Sequence, residues 1–317
     1  MTSPVSPLRA AVNVDVDGLY LYDRIHGLTG RSGNANDFDA AHHDPRAWTK
    51  GVPRFLELFA RADLRATFFV VAQDLAHAEV RAVLADVVRA GHEIGSHSST
   101  HPYDLSRLSA QDQKNELGRA RAVLQQASGQ AITGFRAPGY VLSSQLLETI
   151  AEVGHSYDSS RFPCPPYQLA KAAVIGLSRL TGRPSGSVPE PPGVWFGPRT
   201  PYFEQLPSGR GLIELPIGVV PWLRWPIIGT SAIAAGEVGR LLLAPALQRS
   251  DWVNFELHAI DLIDYVGDDM PARFIKQPDQ RVALRNKWPV LLKTLEALAA
   301  SHQVATLGHW AGRLGHG

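Results

Sequence analysis

Two hydrophobic periods alternate along the first half of the chain. Residues 10–16 form a short apolar run interrupted only by Asn13 and Asp15, as expected of a buried strand, and after a polar loop Val52, Phe55, Leu56 and Phe59 fall at helical spacing within residues 48–62. Residues 65–71, with Thr67-Phe-Phe-Val-Val71, return to a β-rich pattern, and residues 80–90 predict a helix ended by Gly91. The same grammar continues through a strand at 93–96, a long helix at 108–127, a strand at 134–136 and a helix at 143–153. Strand and helix in alternation specify a parallel sheet, whose ligands collect where strands end and the following loops converge.

After His155-Ser-Tyr-Asp158 the rhythm stops. Residues 162–211 are dense in proline and glycine, which predicts a long irregular insertion over about residues 161–211 that faces or caps the substrate. Strands resume at 212–219 and 253–257, with a short last one near 304–307. The expected fold is α/β, an incomplete or distorted (β/α) barrel of about seven parallel strands in a single catalytic domain spanning residues 1–317. Residues 221–247 are unusually apolar, yet Pro226, Gly229, Gly236 and Gly239 make them a poor membrane helix. They are expected in the core, or in part at an acyl chain or bilayer surface.

Composition narrows the class. At 317 residues and 44% hydrophobic content the chain can bury a substantial core. Its 31 Lys and Arg against 30 Asp and Glu give a net charge of +1, which points to no nucleic-acid partner and no purely electrostatic membrane attachment. The single cysteine, Cys164, excludes an intrachain disulfide and a cysteine–zinc cluster. The first nine residues lack the charge and apolar run of a signal peptide, so a cytoplasmic location is expected, with association at the cytoplasmic membrane face as a variant of it.

Candidate chemistry begins with His97-Ser-Ser-Thr-His101 and Asp15-Val-Asp17. Two imidazoles and a carboxylate can hold a divalent metal ion, zinc being the expected one, and leave a coordination position open for a water acidified to a pKa of roughly 7. Among twelve histidines a pair four apart arises readily by chance, and an Asp-x-Asp doublet often caps a turn. Placement at successive strand ends is what gives the set weight. Period-two alternation puts Asp15 and Asp17 on one side of their strand.

The text around these residues reads Asn13-Val-Asp-Val-Asp-Gly18, Gly91-His-Glu-Ile-Gly-Ser-His-Ser-Ser-Thr-His101, Phe135-Arg-Ala-Pro-Gly-Tyr140 and Leu257-His258. In that order the elements resemble the polysaccharide deacetylases, carbohydrate esterase family 4, over roughly residues 10–310. The resemblance implies that Asp17, His97 and His101 bind the metal, that Asp15 is the general base, and that Arg136 holds Asp15 ionised and oriented. It implies further that the backbone N–H of Tyr140 helps stabilise the oxyanion and that His258 is the general acid, with Asp158 or Asp261 tuning its imidazole. In many relatives the two aspartates are adjacent, whereas here Val16 separates them.

The activity so implied is metal-dependent hydrolysis of an N-acyl group, N-acetyl above all, from an amino sugar or glycan. Three alternatives stay open: a deformylase or deacetylase of a lipid-linked amino sugar, a hydrolase of a small cyclic amide or ureide, and a non-catalytic glycan-binding protein. His42 and His43 read as solvated loop residues near the site edge, His92 as a structural hydrogen-bonding residue, Asn13 as barrel packing, and Trp222, Trp225 and Trp252 as core.

Overall fold

The computed structural model describes residues 8–25, 44–180, 188–190, 192–277 and 279–315. Among them the strands are β1 (Arg9–Val16), β2 (Thr67–Val70), β3 (Glu93–Ser96), β4 (Gly134–Phe135), β5 (Tyr157–Asp158), β6 (Tyr202–Gln205), β7 (Gly211–Glu214), β8 (Trp252–His258) and β9 (Gln303–Val304). The helices are α1 (Leu19–Ile25), α2 (Val52–Arg61), α3 (Ala78–Arg89), α4 (Ala110–Ser128), α5 (Ser144–Val153), α6 (Pro165–Leu180), α7 (Gly229–Leu247), α8 (Leu284–Ser301) and α9 (Leu307–Gly315). His42 and His43 lie outside the described residues.

The strands form one sheet in the order β6-β7-β5-β4-β3-β2-β1-β8, with β9 also pairing with β1. Every pairing is parallel except β6 with β7. The sheet is an incomplete (β/α) barrel, a half-barrel backed by helices. Alternation along β1 explains its two-sided burial. Val12, Val14 and Val16 enter the large core cluster that also holds Phe55, Phe59 and Leu84 of the covering helices, whereas Ala11 faces inward with Phe69, Tyr157 and Leu215. At the strand-start end α9 closes the barrel: the Trp310 indole donates to the Ala10 carbonyl, and the Leu307 and Gly308 amides donate to Thr67 and Glu93. The opposite end is left open for chemistry.

Several elements differ from the expected ones. The 161–211 segment is not irregular throughout, since it contains α6 and β6. Pro165 and Pro166 open α6, where a missing N–H costs nothing because first-turn amides have no intrahelical acceptor, so proline density there marks a helix start rather than a break. The 221–247 segment divides into a turn and α7, and Gly236, at φ +59°, interrupts the helix. Of the three tryptophans expected in the core only Trp252 is buried; Trp222 and Trp225 are exposed.

The chain entering α2 from a π-type turn (Ala47–Gly51) presses Gly51 against the residue after β8: a Cβ on Gly51 would lie 2.1 Å from the Ala259 carbonyl oxygen. Neither backbone can yield cheaply. Gly51→Ala is expected to cost about 1–3 kcal/mol through overpacking, read from the urea midpoint at unchanged m-value.

Candidate active site

Three ligand-type atoms converge at the open end. Asp17 follows β1, His97 follows β3, and His101 sits on the next loop, all three buried. His97 Nε2 is 3.3 Å and His101 Nε2 3.5 Å from Asp17 Oδ1, and the two Nε2 atoms are 3.2 Å apart. Donors on one face of a tetrahedron, each at the roughly 2.0–2.1 Å typical of zinc, are separated by about 3.3–3.4 Å. The triangle therefore has the size of a tetrahedral ligand face. Asp17 Oδ1 is buried without a hydrogen-bond partner, which a cation would supply. The donor set fits a divalent metal ion.

The local backbone is shaped for this convergence. Ser98 and His101 adopt positive φ, +68° and +56°, a region costly for residues with a Cβ, and the His101 amide donates to Ser98 Oγ at 3.0 Å. His97 Nδ1 lies 2.8 Å from the Arg136 carbonyl oxygen. A carbonyl can only accept, so Nδ1 carries the proton and the neutral ring turns its Nε2 lone pair toward Asp17 and His101. Burial works to raise the Asp17 carboxyl, but His101 and the contact with His97 outweigh it and hold the group well below the usual carboxylate range.

Asp15, two residues back on the inward face of β1, meets Arg136 Nη1 at 3.1 and 3.2 Å from its two oxygens. Arg136 Nη2 donates to Asn13 Oδ1 at 2.9 Å and Ser159 Oγ at 3.0 Å, and the guanidinium lies 4.6 Å from the Phe69 ring centre. Asn13 is thus a partner of the arginine rather than barrel packing. Burial raises the Asp15 carboxyl further than Arg136 lowers it, which makes it a better proton acceptor than a solvated aspartate.

His258 ends β8 opposite Asp15 in register and places Nε2 4.0 Å from Asp17 Oδ2. Neither expected aspartate pairs its carboxylate with the imidazole, although the Asp261 backbone amide donates to the His258 side chain. Asp158 is turned to the amide and hydroxyl of Ser160 and to the buried Glu214, and Asp261 accepts the backbone N–H of His258 at 2.9 Å, capping the following turn. The imidazole partner is Glu256, whose Oε1 is 2.9 Å from Nδ1. Burial disfavours the imidazolium, but Glu256 overrides it and holds His258 well above its ordinary value. Sequence reasoning missed Glu256 although the signal was present. Along Asn254-Phe-Glu-Leu-His258 alternate residues share a face, so an inward His258 brings Glu256 and Asn254 inward with it.

Tyr140 also departs from expectation. Its backbone N–H is committed to the Ala137 carbonyl at 2.9 Å, and its hydroxyl instead reaches the site, 3.1 Å from Glu256 Oε1 and 3.3 Å from His258 Nε2. The residue holds φ +65° directly after Gly139, so the turn itself aims the ring inward. Of the other sequence candidates, His92 is structural, accepting the Ala66 amide on Nδ1 at 3.1 Å.

These groups form the floor of a cavity of about 550 Å³, within the range of small-molecule sites. One wall is apolar: Val174 and Ile175 of α6 and Trp225, Pro226 and Ile228 of the turn before α7. His101 packs edge-on against Tyr103 on the same cavity surface.

The half-barrel thus carries at its open end a metal-type ligand triangle, a buried carboxylate on an arginine and a carboxylate-backed histidine. Residues 37–157, which carry His97, His101, Arg136 and Tyr140, match the model of the polysaccharide deacetylase family. The family match and the relatives that follow support the polysaccharide deacetylase superfamily. It is 27% identical over 150 residues to a peptidoglycan deacetylase of Helicobacter pylori, covering 47% of this chain and 48% of that protein. It is 33% identical over 133 residues to a chitin deacetylase of Colletotrichum lindemuthianum, covering 40% and 52%. The chain thus spans about half the length of the curated relatives it matches. Among solved structures, a Mycobacterium smegmatis protein assigned to the polysaccharide deacetylases aligns with a TM-score of 0.62 at 19% identity over 100% of this chain and 93% of that one. An allantoinase aligns with a TM-score of 0.58 at 15% identity, over 98% and 91%. At such identities the likeness is one of fold.

The geometry gives the two aspartates different surroundings, Asp17 beside His97 and His101 and Asp15 on Arg136. Asp17→Asn is expected to weaken zinc binding by more than about 100-fold in a chelator competition titration, whereas Asp15→Asn leaves it within a few-fold of wild type. Equal losses in both would place Asp15 among the ligands.

Proposed function

We propose that the chain is a metal-dependent N-deacylase that removes N-acetyl groups from amino sugars of a glycan. The observation that carries this reading is the triangle of Asp17, His97 and His101 beside a base-type carboxylate, Asp15, and an acid-type imidazole, His258. The relatives named peptidoglycan, chitin and chitooligosaccharide deacetylases support the choice of substrate class.

A zinc ion held by Asp17, His97 and His101 would polarise the amide carbonyl and acidify a water at the site. Asp15 then receives the water proton on its carboxylate, with Arg136 fixing the orientation of that carboxylate. His258 gives the Nε2 proton to the departing nitrogen, so that an amine rather than an amide anion leaves, while Glu256 holds the proton on the opposite ring nitrogen. The hydroxyl of Tyr140 donates to Glu256 Oε1 and turns its oxygen toward His258 Nε2, which helps to orient the protonated ring. A second reading, in which the amino sugar is carried on a lipid, is favoured by the apolar wall of Val174, Ile175, Trp225 and Ile228.

Metal-loaded protein incubated with N-acetylated chito-oligosaccharides and with a detergent-solubilised lipid-linked N-acyl amino sugar is expected to release stoichiometric carboxylate and amine from one of them. Release from neither would overturn the proposal. Asp15→Asn is expected to lower kcat by about 10²–10⁴-fold at unchanged metal content.

The pH dependence has a definite sign. His258 must be protonated to act, and its pKa is raised by Glu256, so activity persists below that pKa and falls as pH rises through it. Glu256→Gln removes the raising charge and is expected to move the alkaline limb of kcat to lower pH. An unmoved limb would mean that another group sets it.

A further inference from the structure

The mouth of the cavity carries an apolar surface that the proposed chemistry does not use. Trp222 is 98% exposed, and Leu223, Trp225, Phe196 and Leu177 are 72%, 47%, 69% and 64% exposed. They lie together: Arg224 donates to the carbonyls of Phe196 and Gly197 and to that of Pro163 just before α6, and its guanidinium stacks 5.7 Å from the Phe196 ring centre. Trp225 shares the cavity wall with Val174, one helical turn before Leu177. Large apolar side chains grouped in this way mark an interaction surface.

The turn is held in place rather than loosely extended. Trp222 and Arg224 both adopt positive φ, +69° and +48°, which β-carbon-bearing residues avoid. The Val220 amide donates to the Trp225 carbonyl, the Arg224 amide to the Val220 carbonyl, and the Cys164 thiol to the Arg224 carbonyl. The strain therefore serves to project Trp222 and Leu223 outward from a braced base.

Charge selects the occupant. Residues 192–203 and 215–236, on the rim of this mouth, contain Arg199 and Arg224 and no Asp or Glu, and partial burial and then the nearby Arg199 guanidinium disfavour the charge on Arg224; Lys171, by contrast, is spent inside the cavity wall on the Gly139 carbonyl. A second copy of the same face would meet cation with cation. A glycan would stack on Trp222 but would leave Leu223 and Leu177 without an apolar counterpart. An anionic lipid surface satisfies both features, taking tryptophan and leucine at the headgroup–acyl boundary and the cations at its phosphates. Among the described residues no helix is long and apolar enough to cross a membrane.

We propose that the turn carrying Trp222, Leu223 and Trp225, flanked by Phe196 and Leu177, seats the protein on an anionic lipid bilayer with the cavity mouth at the interface. The contact stands independently of the N-deacylase reading, because it is measured without turnover.

The test is co-sedimentation of the full chain with vesicles of phosphatidylglycerol and phosphatidylcholine, and with phosphatidylcholine alone. Expected are binding to the anionic vesicles, weakening as salt is raised, and a loss of at least about tenfold in Trp222→Asn with Leu223→Ser. Both side chains are exposed and asparagine tolerates the left-handed backbone, so the circular dichroism spectrum and melting temperature of the variant should match wild type. Three results would overturn the proposal: no binding to anionic vesicles, equal binding by the variant, or a dimer in sedimentation velocity that the same two substitutions dissolve. Retention on insoluble chitin without vesicle binding would likewise assign the surface to glycan.

Discussion

One buried guanidinium organises the open end of the barrel. Arg136 follows β4, and its side chain reaches across the barrel interior to Asn13 and Asp15 on β1 and to Ser159 after β5, while its carbonyl fixes the ring of His97 after β3. Three strand ends are thus located relative to one another by a single residue. Breaking such a pair by removing one partner leaves a charge in a site of low polarity, a cost of about 3–5 kcal/mol, so the arrangement is stiff as well as specific. Its stiffness matters because the same residue sets which nitrogen of His97 is free and which way the Asp15 carboxylate faces.

The polar interior of β8 completes the picture. Asn254, Glu256 and His258 point inward in register with β1, and their outward neighbours Val253, Phe255 and Leu257 enter the helix-covered core. A strand with one polar face and one apolar face is ordinary in a sheet that meets water, but here the polar face meets other polar side chains. Asn254 donates to Ser159 Oγ and to the carbonyls of Leu215 and Pro216, and Glu256 accepts from Tyr140 while pairing with His258. The hydrogen-bonded layer supports the reacting groups from below, and the apolar plug of Phe69, Tyr157, Leu215 and Trp310 supports it in turn.

Much of this was legible in the sequence because it is local. The strands at β1, β2 and β3 and the helices α3, α4 and α5 follow from short-range periodicity, and Asp15, Asp17, His97, His101, Arg136 and His258 sit at the ends of β1, β3, β4 and β8 or on the loops that follow. What escaped depends on long-range partners. Asp158 looks like an orienting acid in the sequence, yet folding sets it beside Glu214, and two buried carboxyl groups in contact favour protonation over service to a histidine across the barrel. The dense prolines before α6 hid a helix, since their effect depends on whether they fall in its first turn. Trp222 reads as core by composition and is exposed because a strained turn carries it outward.

The division between floor and wall has a physical consequence. The floor groups are attached to strand ends in a parallel sheet whose backbone hydrogen bonds fix their spacing to fractions of an ångström, and Tyr140, Ser98 and His101 add positive-φ turns that only a well-packed surround can maintain. The wall comes from α6 and the turn before α7, segments joined to the barrel by fewer strand pairings. The candidate site groups are therefore held by the paired strands, and the wall by segments that sequence change can remodel without disturbing the Asp15–Arg136 pair. The apolar wall of Val174, Ile175, Trp225 and Ile228 is a feature of that second kind, since none of these residues contributes to the spacing of Asp17, His97 and His101.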